Sequence, residues 1–321
     1  MNKLKRFLYL FLQSCINPKK FFFILNKRLF TVPDLYSLDK IKNKFLKKKY
    51  FYLWINLSKK NLKFQKLFFQ NEKSEEKIRF DYNKKNDFNE NFFKSLASNG
   101  IIIIENVLPN NEKTQIQNDF IELKNFNISN LPFDKPNWLI EPIKTVNKSK
   151  ERVYSKKKIS HYPSLEQLSN ELTKKISGKI LKTEAEFYFD KCIKIPEEKI
   201  LGDNVLHIDR WVPNFKIIYS PFEVKIDNAP LTYLLESHKI NGKYEKMIFN
   251  NNFKNIEEFD LYDFKKKIQI ILKENSLIVA LTNGFHGRSS FTELNERMFL
   301  FLQYTKSFNK LSFFNYKSFN K

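Results

Sequence analysis

Cysteine is nearly absent, with Cys15 and Cys192 the only two in 321 residues. Two thiols cannot make a disulfide framework, and so few fit a reducing cytoplasm. Long apolar runs are missing as well. The most hydrophobic stretches near the start, Arg6–Leu12 and Lys19–Leu25, fall far short of the roughly 20 apolar residues that cross a bilayer. No small-x-small cleavage pattern lies between Ile16 and Pro18-Lys19-Lys20, so a cleaved secretory leader is not expected. Acidic residues are the third deficit, since 35 Asp and Glu face 57 Lys and Arg for a formal charge of +22.

That charge is concentrated at one end. Residues 1–85 hold 22 Lys/Arg and 6 Asp/Glu, a net of +16, which leaves only +6 for the remaining 236 residues. Two explanations stay open. An AT-rich coding sequence yields excess lysine, asparagine, isoleucine and phenylalanine without any selection for binding. Alternatively, the basic, aromatic-rich region is drawn to an anionic surface. Nucleic acid is the weaker partner, because no recognisable nucleic-acid-binding motif accompanies the charge. A basic amphipathic segment in peripheral contact with an anionic membrane surface fits better, in a protein expected in the cytoplasm or at the inner membrane face.

Periodicity divides the chain into a basic, mostly helical extension with its linker (1–85) and a main domain (86–321). Leu35 to Lys73 carries apolar residues at helical spacing after the start signal Pro33-Asp34, and the polar stretch Glu72 to Asn89 reads as linker. Deletion of residues 1–72 is therefore expected to leave the main domain folded. A helix is predicted over Phe88–Asn99, ended by Gly100, then a strand over Ile101–Ile104 and a helix from Pro109 with Ile116, Phe120 and Leu123 on one face. Residues 126–160 lack a period and suit a lid or binding loop. Ser164 and Gln167 form a capping box for a helix running to Gly178. Glu184 to Ile195 alternates as a strand. Further strands follow at Phe215–Tyr219, Leu231–Leu235, Ile268–Ile271, Ser276–Leu281 and Met298–Tyr304, a spacing that predicts a jelly roll. The expected fold is thus mainly β with flanking helices: a cupin-like double-stranded β-helix core plus a helical basic N-terminal extension.

Histidine is scarce too, with four residues, and two of them stand in chemically suggestive places. His207-Ile208-Asp209 is an H-x-D, and on a strand residues i and i+2 point to one face, so the imidazole and the carboxylate enter one pocket. His286, flanked by Gly284 and Gly287, closes the set from a distant strand. Two His and one carboxylate on one face of an octahedral ion leave the opposite positions open, the arrangement used for non-haem Fe(II). Arg297 opens an apolar run of strand length and needs an anionic partner there; a salt bridge to Glu293 or Glu296 would serve it as well as a cofactor. Arg288 and Lys216 are lesser candidates for an anion contact. His161 and His238 read as core or surface residues.

The segment from Asn204 to Thr305 resembles the phytanoyl-CoA dioxygenase family of Fe(II)/2-oxoglutarate oxygenases. Four ordered pieces carry the resemblance: the H-x-D; Asn228-Ala229-Pro230-Leu231 leading to Glu236-Ser237-His238-Lys239, where the family commonly reads N-G-P-L and P-G-S-H-K; the hydrophobic strand Ser276–Ala280 running into His286; and Arg297, eleven residues beyond that His. Ala229 and Glu236 depart from the family's glycines, so the turn there is expected to differ. The resemblance implies His207, Asp209 and His286 as iron ligands, 2-oxoglutarate as cofactor with its distal carboxylate on Arg297, O2 as co-substrate, and hydroxylation of an unactivated C–H in a small-molecule or lipid-like, acyl substrate. Other readings are a non-catalytic cupin-like protein that binds a metal or ligand, and a surface-binding protein directed by its basic end.

Overall fold

A computed structural model describes residues 44–59, 62, 65–70, 77–82, 90–125, 141–146, 149–155, 162–172, 187–196, 206–209, 213–250, 266–289 and 298–306. Contacts group the chain into two units, one of Met1–Ile55 with Ser307–Lys321 and one of Asn56–Lys306. Of the first unit only residues 44–55 are described, within helix α1 (Lys44–Lys59), whose buried Phe51 and Ile55 follow helical spacing. The expected membrane-surface segment of residues 1–30 lies outside the described residues. Among those described, no helix is long and apolar enough to cross a membrane.

The second unit is built on strands whose residues are apolar on both sides. In β2 (Ile101–Glu105) four isoleucines in a row are buried, and all five residues of β9 (Ser276–Ala280) are buried. Such strands belong in the middle of a covered sheet. They lie within a sheet of eight described strands, ordered β1-β2-β9-β6-β11-β5-β4-β3, where β1 is Arg79–Asp81, β3 Glu141–Val146, β4 Ser149–Ser155, β5 Phe187–Pro196, β6 Asn214–Ser220 and β11 Phe299–Lys306. All its pairings are antiparallel except β1 with β2. A smaller sheet has the order β10-β7-β8, with β7 Leu231–Leu234, β8 Lys267–Ile270 and β10 His286–Arg288. A single bridge between His207 and His286 adds the H-x-D segment beside β10.

The chain switches sheets as it proceeds. From β5 onward it visits large, small, large, small, small, large, small and large sheet in turn, and this alternation produces the adjacent quartets β5-β11-β6-β9 and (206–209)-β10-β7-β8. That is the winding of a double-stranded β-helix, so the jelly-roll expectation holds. Ile101, Ile103, Ile278, Ala280, Ile218 and Phe299 from the large sheet meet Tyr233 and Ile270 from the small one to form the core between the sheets. Helix α2 (Glu90–Asn99) packs on β2, and α3 (Asn110–Asn125) packs on α4 (Pro163–Leu172).

Several local expectations are altered by tertiary partners. Helix α4 starts at Pro163, so Ser164 lies inside its first turn; its hydroxyl bonds Asp119 of α3, and Gln167 bonds Glu171 at 3.0 Å, in place of a capping box. The continuation to Gly178 lies outside the described residues. Within the stretch read as aperiodic, β3 and β4 pair as a hairpin that extends the large sheet. Helix α5 (Gly242–Asn250) follows Lys239 and Ile240 where only strands and turns were expected.

Residues 65–82, grouped by composition with the basic extension, are tied to the second unit through the backbone. A π-helical turn, Gln65–Phe69, buries Leu67 and Phe68, and the Phe68 carbonyl accepts the Ile240 amide at 2.7 Å. Lys239 Nζ donates to the carbonyls of Gln70 (2.6 Å) and Leu67 (3.3 Å), and β1 pairs with β2 inside the stretch read as linker. A chain beginning at residue 73 should therefore be less stable than one beginning at residue 56, by about 3 to 6 kcal/mol for two lost buried side chains. Urea unfolding of the two chains measures this; equal midpoints would show that the turn contributes nothing.

Candidate metal centre

His207 and His286 face each other across the bridge. The His207 amide donates to the His286 carbonyl at 2.8 Å and the reverse bond is 2.9 Å, the reciprocal pair of an antiparallel ladder. Directly paired residues project to the same face, so the two imidazoles stand side by side with ring centroids 4.7 Å apart. Two residues on, the Asp209 amide bonds the Thr282 carbonyl at 2.9 Å, which keeps the segment extended and turns the carboxylate to the same face.

The three side chains converge. Asp209 Oδ1 lies 4.0 Å from His207 Nε2, Asp209 Oδ2 lies 3.5 Å from His286 Nε2, and one ligand atom from each residue lies within 4.8 Å of the others. Neighbouring ligands at ~2.1 Å from a common ion stand about 3 Å apart, so the set is slightly wider than a loaded site. His286 Nδ1 is 2.9 Å from the Gly284 carbonyl and must carry the proton there, which leaves Nε2 with its lone pair turned to the cluster. Among the described residues, this buried Nε2 has no hydrogen-bond partner. An orphaned, lone-pair-bearing nitrogen beside a carboxylate and a second imidazole suits a divalent metal. Exposure sets the direction of entry: the His207 side chain is 35% exposed and that of His286 only 6%, so the cluster opens on the His207 side.

Lys216, from the middle of β6, completes the centre, with Nζ 2.6 Å from Asp209 Oδ2. Burial opposes ionisation of Asp209, but the Lys216 ammonium outweighs it, and the carboxyl is held well below its usual range. It is an anion at any physiological pH. The sequence singles out Lys216 only as a lesser pocket candidate. Its contact with Asp209 has no local signal, because it depends on the crossing of β6 beneath the H-x-D.

Arg288 sits two residues after His286 on β10 and pairs with Leu231 as His286 pairs with Tyr233, so alternation puts it on the His286 face, where it is partly buried. Arg297 lies outside the described residues. Phe299 and Phe301, two and four positions later, are on the interior face of β11, one in the core and one packed against it. His238 is fully buried, with Nε2 donating to the Ala97 carbonyl at 3.1 Å, and burial and nearby Lys239 push its pKa down to about 3. It is a neutral core residue, as the sequence reading has it.

The fold and cluster define a cupin-type double-stranded β-helix carrying two histidines and an aspartate. No family model matches the sequence, and no curated protein matches it. Solved structures similar to it include EctD from S. alaskensis with 2-oxoglutarate and 5-hydroxyectoine, at 14% identity over 75% of this chain and 82% of that one with a TM-score of 0.48. HygX from Streptomyces hygroscopicus with nickel and 2-oxoglutarate bound has 10% identity, coverage of 68% and 88%, and a TM-score of 0.46. AviO1 from Streptomyces viridochromogenes Tue57 has 12% identity, coverage of 66% and 91%, and a TM-score of 0.47. The fold assignment itself rests on strand order.

If the cluster holds a metal, His207→Ala and His286→Ala should each lower Ni(II) affinity by about 100-fold or more, since losing a ligand exceeds the tenfold to hundredfold typical of outer partners. Isothermal titration measures the affinity and near-UV circular dichroism checks that folding is intact. Unchanged nickel affinity in both variants rejects the site.

Proposed function

We propose that this chain is an Fe(II)- and 2-oxoglutarate-dependent oxygenase of the type resembled by its Asn204–Thr305 segment, hydroxylating an unactivated C–H of a small-molecule or lipid-like substrate. The observation that carries the reading is the facial set of His207, Asp209 and His286, with the orphaned His286 Nε2 aimed into it. Bound there with 2-oxoglutarate, iron supplies the oxidation in which 2-oxoglutarate and O2 become succinate and CO2 while R–H becomes R–OH.

The protein's own share is charge, orientation and exclusion of water. Asp209 and the two imidazoles supply the ligand set, and the Gly284 carbonyl fixes the protonated nitrogen of His286. Lys216 lies beside Asp209, and Arg288 follows His286 on the same face of its strand, positive charge suited to an anionic co-ligand. Arg297 is the preferred partner for the distal carboxylate of 2-oxoglutarate: a guanidinium fork takes a carboxylate through two parallel bonds, and it stands eleven residues beyond His286, as in the family the segment resembles. Arg288 is assigned to a second anionic contact, on cofactor or substrate.

Succinate production from 2-oxoglutarate that requires added Fe(II) and fails in Asp209→Asn tests the reading; iron-dependent binding without any succinate supports the non-catalytic alternative. Comparison of untargeted metabolites with and without active protein identifies the substrate. Losing one partner of a buried ion pair costs about 3 to 5 kcal/mol, or roughly two to three and a half decades in affinity. Arg297→Ala should therefore raise the 2-oxoglutarate requirement about hundreds-fold while Fe(II) affinity stays nearly constant, and Arg297→Lys should restore only part. An alanine variant with wild-type 2-oxoglutarate affinity moves the carboxylate partner to Lys216 or Arg288.

A further inference from the structure

The loop that delivers His286 is held from behind by a turn that contributes no metal ligand. Phe285, the residue before the ligand, is gripped at both ends of its peptide: its amide donates to Ser237 Oγ at 2.8 Å and its carbonyl accepts the Leu234 amide at 2.9 Å. The Ser237 hydroxyl spends its proton on the Leu234 carbonyl at 2.6 Å, so its lone pairs are left to face Phe285. One residue earlier, the space around Gly284 is filled. A Cβ there would fall 2.4 Å from Tyr233 Oη, 3.0 Å from Ser237 Oγ and 3.1 Å from the His238 amide nitrogen. Asn283 Nδ2 bonds the His238 carbonyl at 2.7 Å, and Tyr244 Oη bonds the Asn283 carbonyl at 3.2 Å.

These contacts converge on one functional atom. The Gly284 carbonyl receives His286 Nδ1–H, so the position of Gly284 sets both the rotation of the imidazole and which nitrogen faces the metal. We infer that Ser237, acting with Asn283, is a positioning residue for the distal metal ligand: the 234–238 turn fixes residues 283–285, and these fix the His286 ring. The inference rests on the reading of His207, Asp209 and His286 as a metal site. Neither Ser237 nor Asn283 reaches the ligand set, so their effect on the metal passes through the Gly284–Phe285 backbone.

Ser237→Ala removes the acceptor of the Phe285 amide. Its Ni(II) affinity by isothermal titration should fall about tenfold or more, in the range typical of residues that orient a ligand, and the visible spectrum of bound Co(II) should change with the altered coordination. Asn283→Ala, which frees the same loop from the other side, should move both readings in the same direction and decides the matter alone if Ser237→Ala does not fold. Tyr219→Phe is the control for general destabilisation: it deletes one buried hydrogen bond, 3.1 Å to Asn275, and should leave both readings at wild-type values. Wild-type nickel affinity and cobalt spectrum in whichever of the two alanine variants fold would overturn the inference while the metal site stands. A wild-type protein that binds neither ion overturns both.

Discussion

The reciprocal hydrogen-bonded pair between His207 and His286 is the constraint on which the candidate site depends. Two main-chain bonds of 2.8 and 2.9 Å bring together side chains from segments far apart in sequence, and the geometry of a paired position does the rest by sending both rings to one face. Register is the critical quantity, because a slip of one residue on either segment would turn an imidazole to the opposite face. That register is secured by neighbouring layers, with β10 paired to β7, β7 to β8, and the β9–β6–β11 ladders beneath. The jelly-roll winding thus acts as the device that sets two histidines opposite each other.

Charge in the centre is balanced locally. A buried carboxylate is costly unless a cation meets it, and Lys216 supplies one at 2.6 Å. The consequence is a carboxylate that stays ionised with an ammonium beside it. Burial runs from His286, which is nearly enclosed, to His207, which is partly open, so the cluster is closed at one end and accessible at the other.

The turns on either side of β7 keep a glycine-like conformation without glycine. Ala229 at φ 50° and Glu236 at φ 66° occupy the left-handed region, where a residue with a Cβ costs of order 1–3 kcal/mol. Both are held by the packed structure around them: Ala229 is fully buried, and the Glu236 amide bonds the Asn99 carbonyl at 3.1 Å. Gly100, at φ 81°, is needed twice over, since a Cβ there would meet both His238 and Tyr233 at 2.4 Å. Strain tolerated on one side of the 234–238 turn and glycine kept on the other are consistent with a backbone course fixed by what it must support.

Much of this was legible in the residues alone. The apolar runs at 101–104, 215–219, 276–281 and 298–304 stood out because strands buried on both faces need no alternation, and the H-x-D stood out because period two gives it one face. Gly100 marked the end of a helix and Gly284 flanked His286, although the sequence could not say what packs against either. Long-range partners were beyond local reading. β1 inside a polar stretch, the β3–β4 hairpin in an aperiodic one, and Ser164 bound to Asp119 in place of its own helix all exist because another segment completes them. By itself the sequence determined which residue types could hold a metal and that its apolar runs would be strands, since both follow from side-chain chemistry and short-range periodicity. The partner of Asp209, the face shared by His207 and His286, and the turn that grips Phe285 were decided by tertiary structure, because each is a contact between segments whose separation along the chain carries no signal of their distance in space.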